Sequence, residues 1–119
     1  MSPRKTRSSL AERRLARLNW MEMGEWVPAE IATVLLPVGT LEAHGILSLG
    51  TDNEIPSRLS EAVAERLNAL VAPTIPYGVT ASLGALAGGT HVPAAPFTEY
   101  AAAVLTTLTH QGFRNLIVM

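Results

Sequence analysis

The run Thr33-Val34-Leu35-Leu36-Pro37-Val38-Gly39 narrows the fold more than any other stretch of this chain. Its apolar residues are nearly continuous, without the alternation that marks a strand with one wet face. That pattern suits a strand covered on both sides, as in a parallel sheet. A parallel sheet needs crossover helices, and the flanking sequence is patterned to supply them.

After the run comes a loop rich in glycine and polar residues, from Thr40 to Asn53. Pro56 to Leu70 then repeats Leu59, Val63, Leu67 and Leu70 at helical spacing, with Arg58, Glu61, Glu65 and Arg66 mostly off that stripe. Pro56 is expected in the first turn, where its missing N–H costs nothing. Leu70 to Ile75, with prolines close behind Val71, reads as a second strand at a sheet edge. Tyr77 to Ala95 is a long loop, and loops of that length in small domains are usually functional or mobile. A second helix is expected from Pro96, with Phe97, Ala101, Val104, Leu105 and Leu108 on one face and Gly112 stopping it. Phe113 to Met119 is a third strand around Leu116-Ile117-Val118. Upstream, Ala11 to Leu18 suggests a short helix, and Asn19 a cap for a turn running from Trp20 to Trp26 before Pro28. The order strand, helix, strand, helix, strand is the βαβαβ portion of an α/β sheet.

Bulk properties bound the rest. A chain of 119 residues is one small domain, able to bury roughly two-thirds of the surface its unfolded form exposes. There are no cysteines, which excludes disulfides, zinc fingers and thiol nucleophiles. No run of about 18 apolar residues exists to span a bilayer. Charges interrupt Ser8 to Leu18, so a secretory core is absent and the cytoplasm is the expected compartment. Arg4, Lys5, Arg7, Arg13, Arg14 and Arg17 face only Glu12 across the first 17 residues. Such a stretch can be a foot for nucleic acid or anionic lipid, or a solvated tail. No aromatic residue interleaves the arginines as a single-strand groove requires. The expectation is a poorly ordered extension over residues 1–18, with neither nucleic acid nor membrane as partner.

The chemistry concentrates in the loop after the first strand, at the carboxyl edge where open α/β sheets place their sites. Glu42 and His44 are two apart, so an extended segment shows both side chains on one side. A carboxylate and an imidazole displayed together suit a divalent metal. Asp52, at the far end of the loop, has two readings: a third ligand, or a helix-capping or first-turn acid. Glu42 and His44 also have a plain reading as a solvated loop pair. His91 is a loop histidine that reads more readily as a surface residue than as a ligand. His110 sits late in its helix, where a cation suits the dipole. No Gly-x-Gly-x-x-Gly follows a strand, which argues against a dinucleotide site.

The segments Leu36-Pro37-Val38-Gly39-Thr40-Leu41-Glu42-Ala43-His44-Gly45 and Leu49-Gly50-Thr51-Asp52 resemble the signature of the creatininase family. Asn19-Trp20, Ala72-Pro73, Pro76-Tyr77-Gly78-Val79, Gly89-Thr90 and His110-Gln111-Gly112-Phe113-Arg114 fall in the family's order, so the likeness covers residues 19–119. The resemblance implies the amino-terminal part of a three-layer parallel-sheet domain, incomplete by itself. It implies a hydrolase of cyclic or non-peptide amide C–N bonds that uses two divalent ions, Zn, Mn or Fe. Glu42 would bind one ion, His44 the other, and Asp52 would bridge them; no other catalytic residue is assigned within this chain. A small-molecule amide substrate and a homo-oligomer of the complete protein come with the resemblance.

The sequence departs from the family pattern in three places. Ile46 and Leu47 stand where many members carry a second histidine. The loop is about one residue shorter than in creatininase. The Asn-Gly-His loop that members show after the third strand would lie beyond Met119. An alternative reading is therefore kept, a non-catalytic α/β binding module that retains the fold. The exposed edge of the final strand is expected to make the chain poorly soluble alone.

Overall fold

The computed structural model describes residues 10–119. Its centre is a parallel sheet of three strands among the described residues, β1 (Thr33–Leu36), β2 (Ala69–Val71) and β3 (Asn115–Val118), in the order β2-β1-β3. Thr33 pairs with Ala69 on one side and Asn115 on the other, and Leu35 with Val71 and Ile117. The central place of β1 accounts for its unbroken apolar run: Val34, Leu35 and Leu36 are all buried. β2 lies at the edge of the sheet, as expected, but runs Ala69–Val71 and ends before Pro73 instead of reaching Ile75.

Among the described residues three α-helices accompany the sheet: α1 (Trp20–Trp26), α2 (Thr51–Leu67) between β1 and β2, and α3 (Ala94–His110) between β2 and β3. The first crossover runs to one side of β1 and the second returns past it. With crossovers of one hand, this puts the two helices on opposite faces. On one face Ala64 and Val63 of α2 pack on Leu35, Ala69 and Val71. On the other, Leu108, Phe97, Ala101, Val104 and Leu105 of α3 join Val34, Leu36, Leu70, Trp26 and Phe113. The stripe expected for α3 is the one it buries, although the helix starts two residues before Pro96. Gly112, at φ +114°, follows its carboxyl end.

α2 corrects three expectations, of its start, its buried face and its end. It begins at Thr51, not near Pro56, which lies in its second turn. The Glu54 N–H closes the first helical bond on the Gly50 carbonyl (2.9 Å), and Asp52 and Glu54 bring acidic charge to the first turn, where the helix dipole favours it. These gains offset the one N–H that proline lacks. The helix also buries a different face. Leu59 and Leu67 are about half exposed (50% and 48%), whereas Ser60 and Ala64 are at 0%. Small side chains let the helix axis approach the sheet closely, and the Ser60 hydroxyl is satisfied by the Pro56 carbonyl at 2.6 Å. Leu70 belongs to β2, because Asn68 takes a left-handed conformation (φ 49°) and ends the helix.

The amino-terminal part differs as well. Ala11 to Leu18 is not a helix; only Leu15–Arg17 form a 3-10 turn. Residues 10–18 of the expected basic extension pack against the domain, and residues 1–9 lie outside the described residues. Leu10 is buried in the core, and Arg14 pairs in parallel with Val71, whose N–H donates to the Arg13 carbonyl at 2.7 Å. The Glu12 carboxylate takes both the backbone N–H and the guanidinium of Arg14, each at 2.9 Å, and holds the segment extended. α1 keeps its expected cap: the Asn19 side chain accepts from the Glu22 N–H (2.9 Å) and the Asn19 N–H donates to the Glu22 carboxylate (3.1 Å). Among the described residues no helix is long and apolar enough to cross a membrane.

Candidate metal centre

The first crossover leaves the carboxyl end of β1, the central strand, at the edge where open α/β sheets place their ligands. Beyond Leu36 the strand remains tied to both neighbours. The Val38 N–H donates to the Met119 carbonyl (3.2 Å) and the Gly39 N–H to the Ile75 carbonyl (2.9 Å). The loop thus leaves a fixed platform.

Two close contacts return it to the start of α2. Gly39 lies directly against the backbone of Asp52, and the Asn53 amide donates to the Pro76 carbonyl at 3.1 Å. Between them the chain makes a tight turn in which the Leu47 N–H donates to the His44 carbonyl (2.9 Å). Gly45 supplies the positive φ (+56°) that this turn requires. The Thr90 N–H donates to the Leu41 carbonyl (3.0 Å), joining this loop to the 77–93 loop.

This architecture brings Glu42, His44 and Asp52 together, with one potential ligand atom from each within 4.8 Å of the others. His44 Nε2 is 2.9 Å from Asp52 Oδ2 and 3.9 Å from Glu42 Oε1. The Thr40 hydroxyl donates to the same Asp52 oxygen at 3.1 Å. The hydrogen bond from His44, reinforced by that from Thr40, holds the Asp52 carboxyl below its ordinary value and keeps it ionised. Of its two readings, Asp52 satisfies the geometry of both. It lies in the first turn of α2, yet its carboxylate turns to His44 and Thr40 and caps no backbone N–H. A nitrogen and two carboxylate oxygens converging in this way could hold a divalent ion of the zinc or manganese type.

The other two histidines lie elsewhere. His91 Nδ1 accepts hydrogen bonds from the backbone N–H groups of Thr80 (3.1 Å) and Ala81 (3.2 Å), bracing the 77–93 loop. His110 closes the last turn of α3. Sequence reasoning passed over Thr40 and Gly39. Their only sequence signal was position, two residues and three residues before Glu42 at the end of a buried strand. Beside Asp52 opens a cavity of about 470 Å³, walled by Val38, Thr40, Ile55, Gly78, Phe97 and Met119 among others, in which Asp52 is the one ionisable lining residue.

Fold and site together define an α/β protein whose loop at the carboxyl edge of the central strand gathers three groups that could hold a metal ion. The chain belongs to the creatininase family: the family model described as creatinine amidohydrolase matches residues 16–119. It is 32% identical over 112 residues to creatinine amidohydrolase from Pseudomonas putida, which covers 88% of this chain and 43% of that protein. Among solved structures, a crystal structure of creatinine amidohydrolase superimposes with a TM-score of 0.85 at 29% identity, over 92% of this chain and 45% of the other. A manganese creatininase gives 0.84 at 30% identity, over 91% and 44%. The chain therefore spans less than half the length of the relatives it matches.

Proposed function

We propose that this chain provides part of the active site of a metal-dependent hydrolase that cleaves the C–N bond of a small cyclic or non-peptide amide. The observation that carries the reading is the convergence of Glu42, His44 and Asp52 within 4.8 Å in a creatininase-family chain. The donor set suits Zn, Mn or Fe, and relatives include creatininase structures described as Zn-Zn and Mn types. Glu42 and His44 would each hold one of two divalent ions and Asp52 would bridge them. Such ions activate water near neutral pH and polarise the scissile carbonyl. The protein's own part is to keep Asp52 ionised, to present His44 with Nε2 toward the carboxylates, and to hold the three at a fixed separation. A related creatininase variant has been solved with creatine, which supports a small, polar molecule as the ligand of the site.

The same reading makes residues 19–119 the amino-terminal part of a creatininase-like domain in a cytoplasmic homo-oligomer. Ile46 and Leu47 in place of a second loop histidine favour one other reading, a metal-holding module without hydrolysis. Metal analysis of the purified protein tests the proposal, with Glu42→Gln and His44→Ala beside the wild type. Stoichiometric divalent metal that both substitutions abolish, with amide hydrolysis lost in parallel, is the expected result. Metal-free wild-type protein, or variants with undiminished hydrolysis, would end it. Bound metal with no activity on creatinine or formamide substrates would favour the module.

A further inference from the structure

We propose that Thr40 is a positioning residue of the metal centre, its hydroxyl fixing the Asp52 carboxylate toward Glu42 and His44. This rests on the reading of the trio as metal ligands. Asp52 Oδ2 is held twice, by His44 Nε2 at 2.9 Å and by Thr40 Oγ1 at 3.1 Å. The first of these bonds cannot survive metal binding through Nε2. An imidazole nitrogen that gives its lone pair to an ion carries no proton to share with a carboxylate. The Thr40 bond has no such conflict, because its donor is not a ligand. Each carboxylate oxygen has two acceptor positions, so Thr40 occupies one of Oδ2 and leaves the other for an ion.

Thr40 is well placed to bear this role. It follows Val38 and Gly39, whose N–H groups are both bonded to neighbouring chain segments. Its Cγ2 methyl lies 3.2 Å from where a β-carbon on Gly78 would stand, so the side chain is packed on that backbone. A β-branched residue so packed has one χ1 setting, and the hydroxyl direction follows. Asp52 lacks such restraint. In the first turn of α2 the N–H groups of Thr51, Asn53 and Glu54 are already bonded to the Ser48 and Gly50 carbonyls, so none of them holds its carboxylate in place. Once His44 turns to an ion, the Thr40 hydroxyl is the donor that still fixes it.

The test is calorimetric titration of demetallated protein with Zn²⁺ and with Mn²⁺, alongside thermal melts of the metal-free forms. Thr40→Val keeps the shape and removes the hydroxyl; Thr40→Ser keeps the hydroxyl; Thr40→Ala repeats the loss should valine fit badly. Removing an outer hydrogen-bond partner of a ligand weakens metal binding roughly 10–100-fold. That loss is expected for Thr40→Val and Thr40→Ala, with metal-free melts unchanged and Thr40→Ser close to wild type. Wild-type affinity in Thr40→Val, where Asp52→Asn has lost binding, would overturn the inference and leave the metal site standing. Equal losses in the valine and serine variants, tracking lowered melts, would mark Thr40 as structural and overturn it too. Wild-type protein that binds neither ion would remove both claims.

Discussion

The backbone carbonyl of Asp52 lies against the α-carbon of Gly39, so closely that a β-carbon there would come within 2.5 Å of it. This contact sets the start of α2 directly on the end of β1, and with it the distance from Asp52 to Glu42 and His44. The same carbonyl is the one that Pro56, four residues on, leaves without a helical N–H.

Gly39→Ala should therefore displace the first turn of α2: the Asn53 side chain can turn aside, but the Asp52 carbonyl is backbone and cannot. A loss of about 1–3 kcal/mol is expected from such overpacking, together with weakened metal binding. Gly24→Ala is the control, since a β-carbon there meets nothing within 4 Å. In the middle of α1 alanine should stabilise by roughly 0.5–1 kcal/mol. Denaturant unfolding of both variants checks the pair.

His91→Ala should lower stability and spare the metal centre. It removes the acceptor of two backbone N–H groups, one of them on Thr80, which is 5% exposed. Unpaired buried donors cost about 1–3 kcal/mol each, so a clear fall in melting temperature is expected with metal stoichiometry unchanged. Loss of bound metal at an unchanged melting temperature would instead make His91 a ligand.

Acid should loosen the amino-terminal segment before the core. Hydrogen bonds from Arg14 lower the Glu12 carboxyl from 4.5 to about 2. A depressed carboxyl stabilises the folded form fully above its unfolded value and ceases to do so as pH falls through the folded one. The Glu12–Arg14 contribution is thus present above pH 4.5 and lost on descent toward pH 2. Carbon-detected NMR titration should place Glu12 near that lower value, and Arg14→Ala should return it to the ordinary carboxylate range.

Self-association should follow from the apolar surface of β3 and α2. Ile117 and Val118 are 39% and 55% exposed, and Ile55, Leu59 and Leu67 show similar exposure on α2. Strand edges with such neighbours recruit other strands. Sedimentation should show concentration-dependent association that Val118→Lys reduces, whereas a well-behaved monomer at all concentrations would contradict it.

Much of this architecture was legible in residue order alone. The unbroken run Val34-Leu35-Leu36 suited a strand with both faces covered, and Asn19 marked a helix start by local chemistry. Phe97 to Leu108 declared its buried face by period, because α3 meets the sheet through large side chains. α2 did not. Its Leu59–Leu67 stripe was the stronger pattern, yet the helix buries Ser60 and Ala64, since close approach to a sheet selects for small side chains rather than apolar ones. Arg14 likewise reads as part of a solvated tail until β2 offers it a strand to pair with. For the site, spacing alone put Glu42 and His44 on one side of a loop and left Asp52 between ligand and helix acid. Only the fold brings Asp52 back across eight residues to His44 and sets Thr40 behind it, because that closure depends on where α2 begins, and the contact between Gly39 and Asp52 decides this.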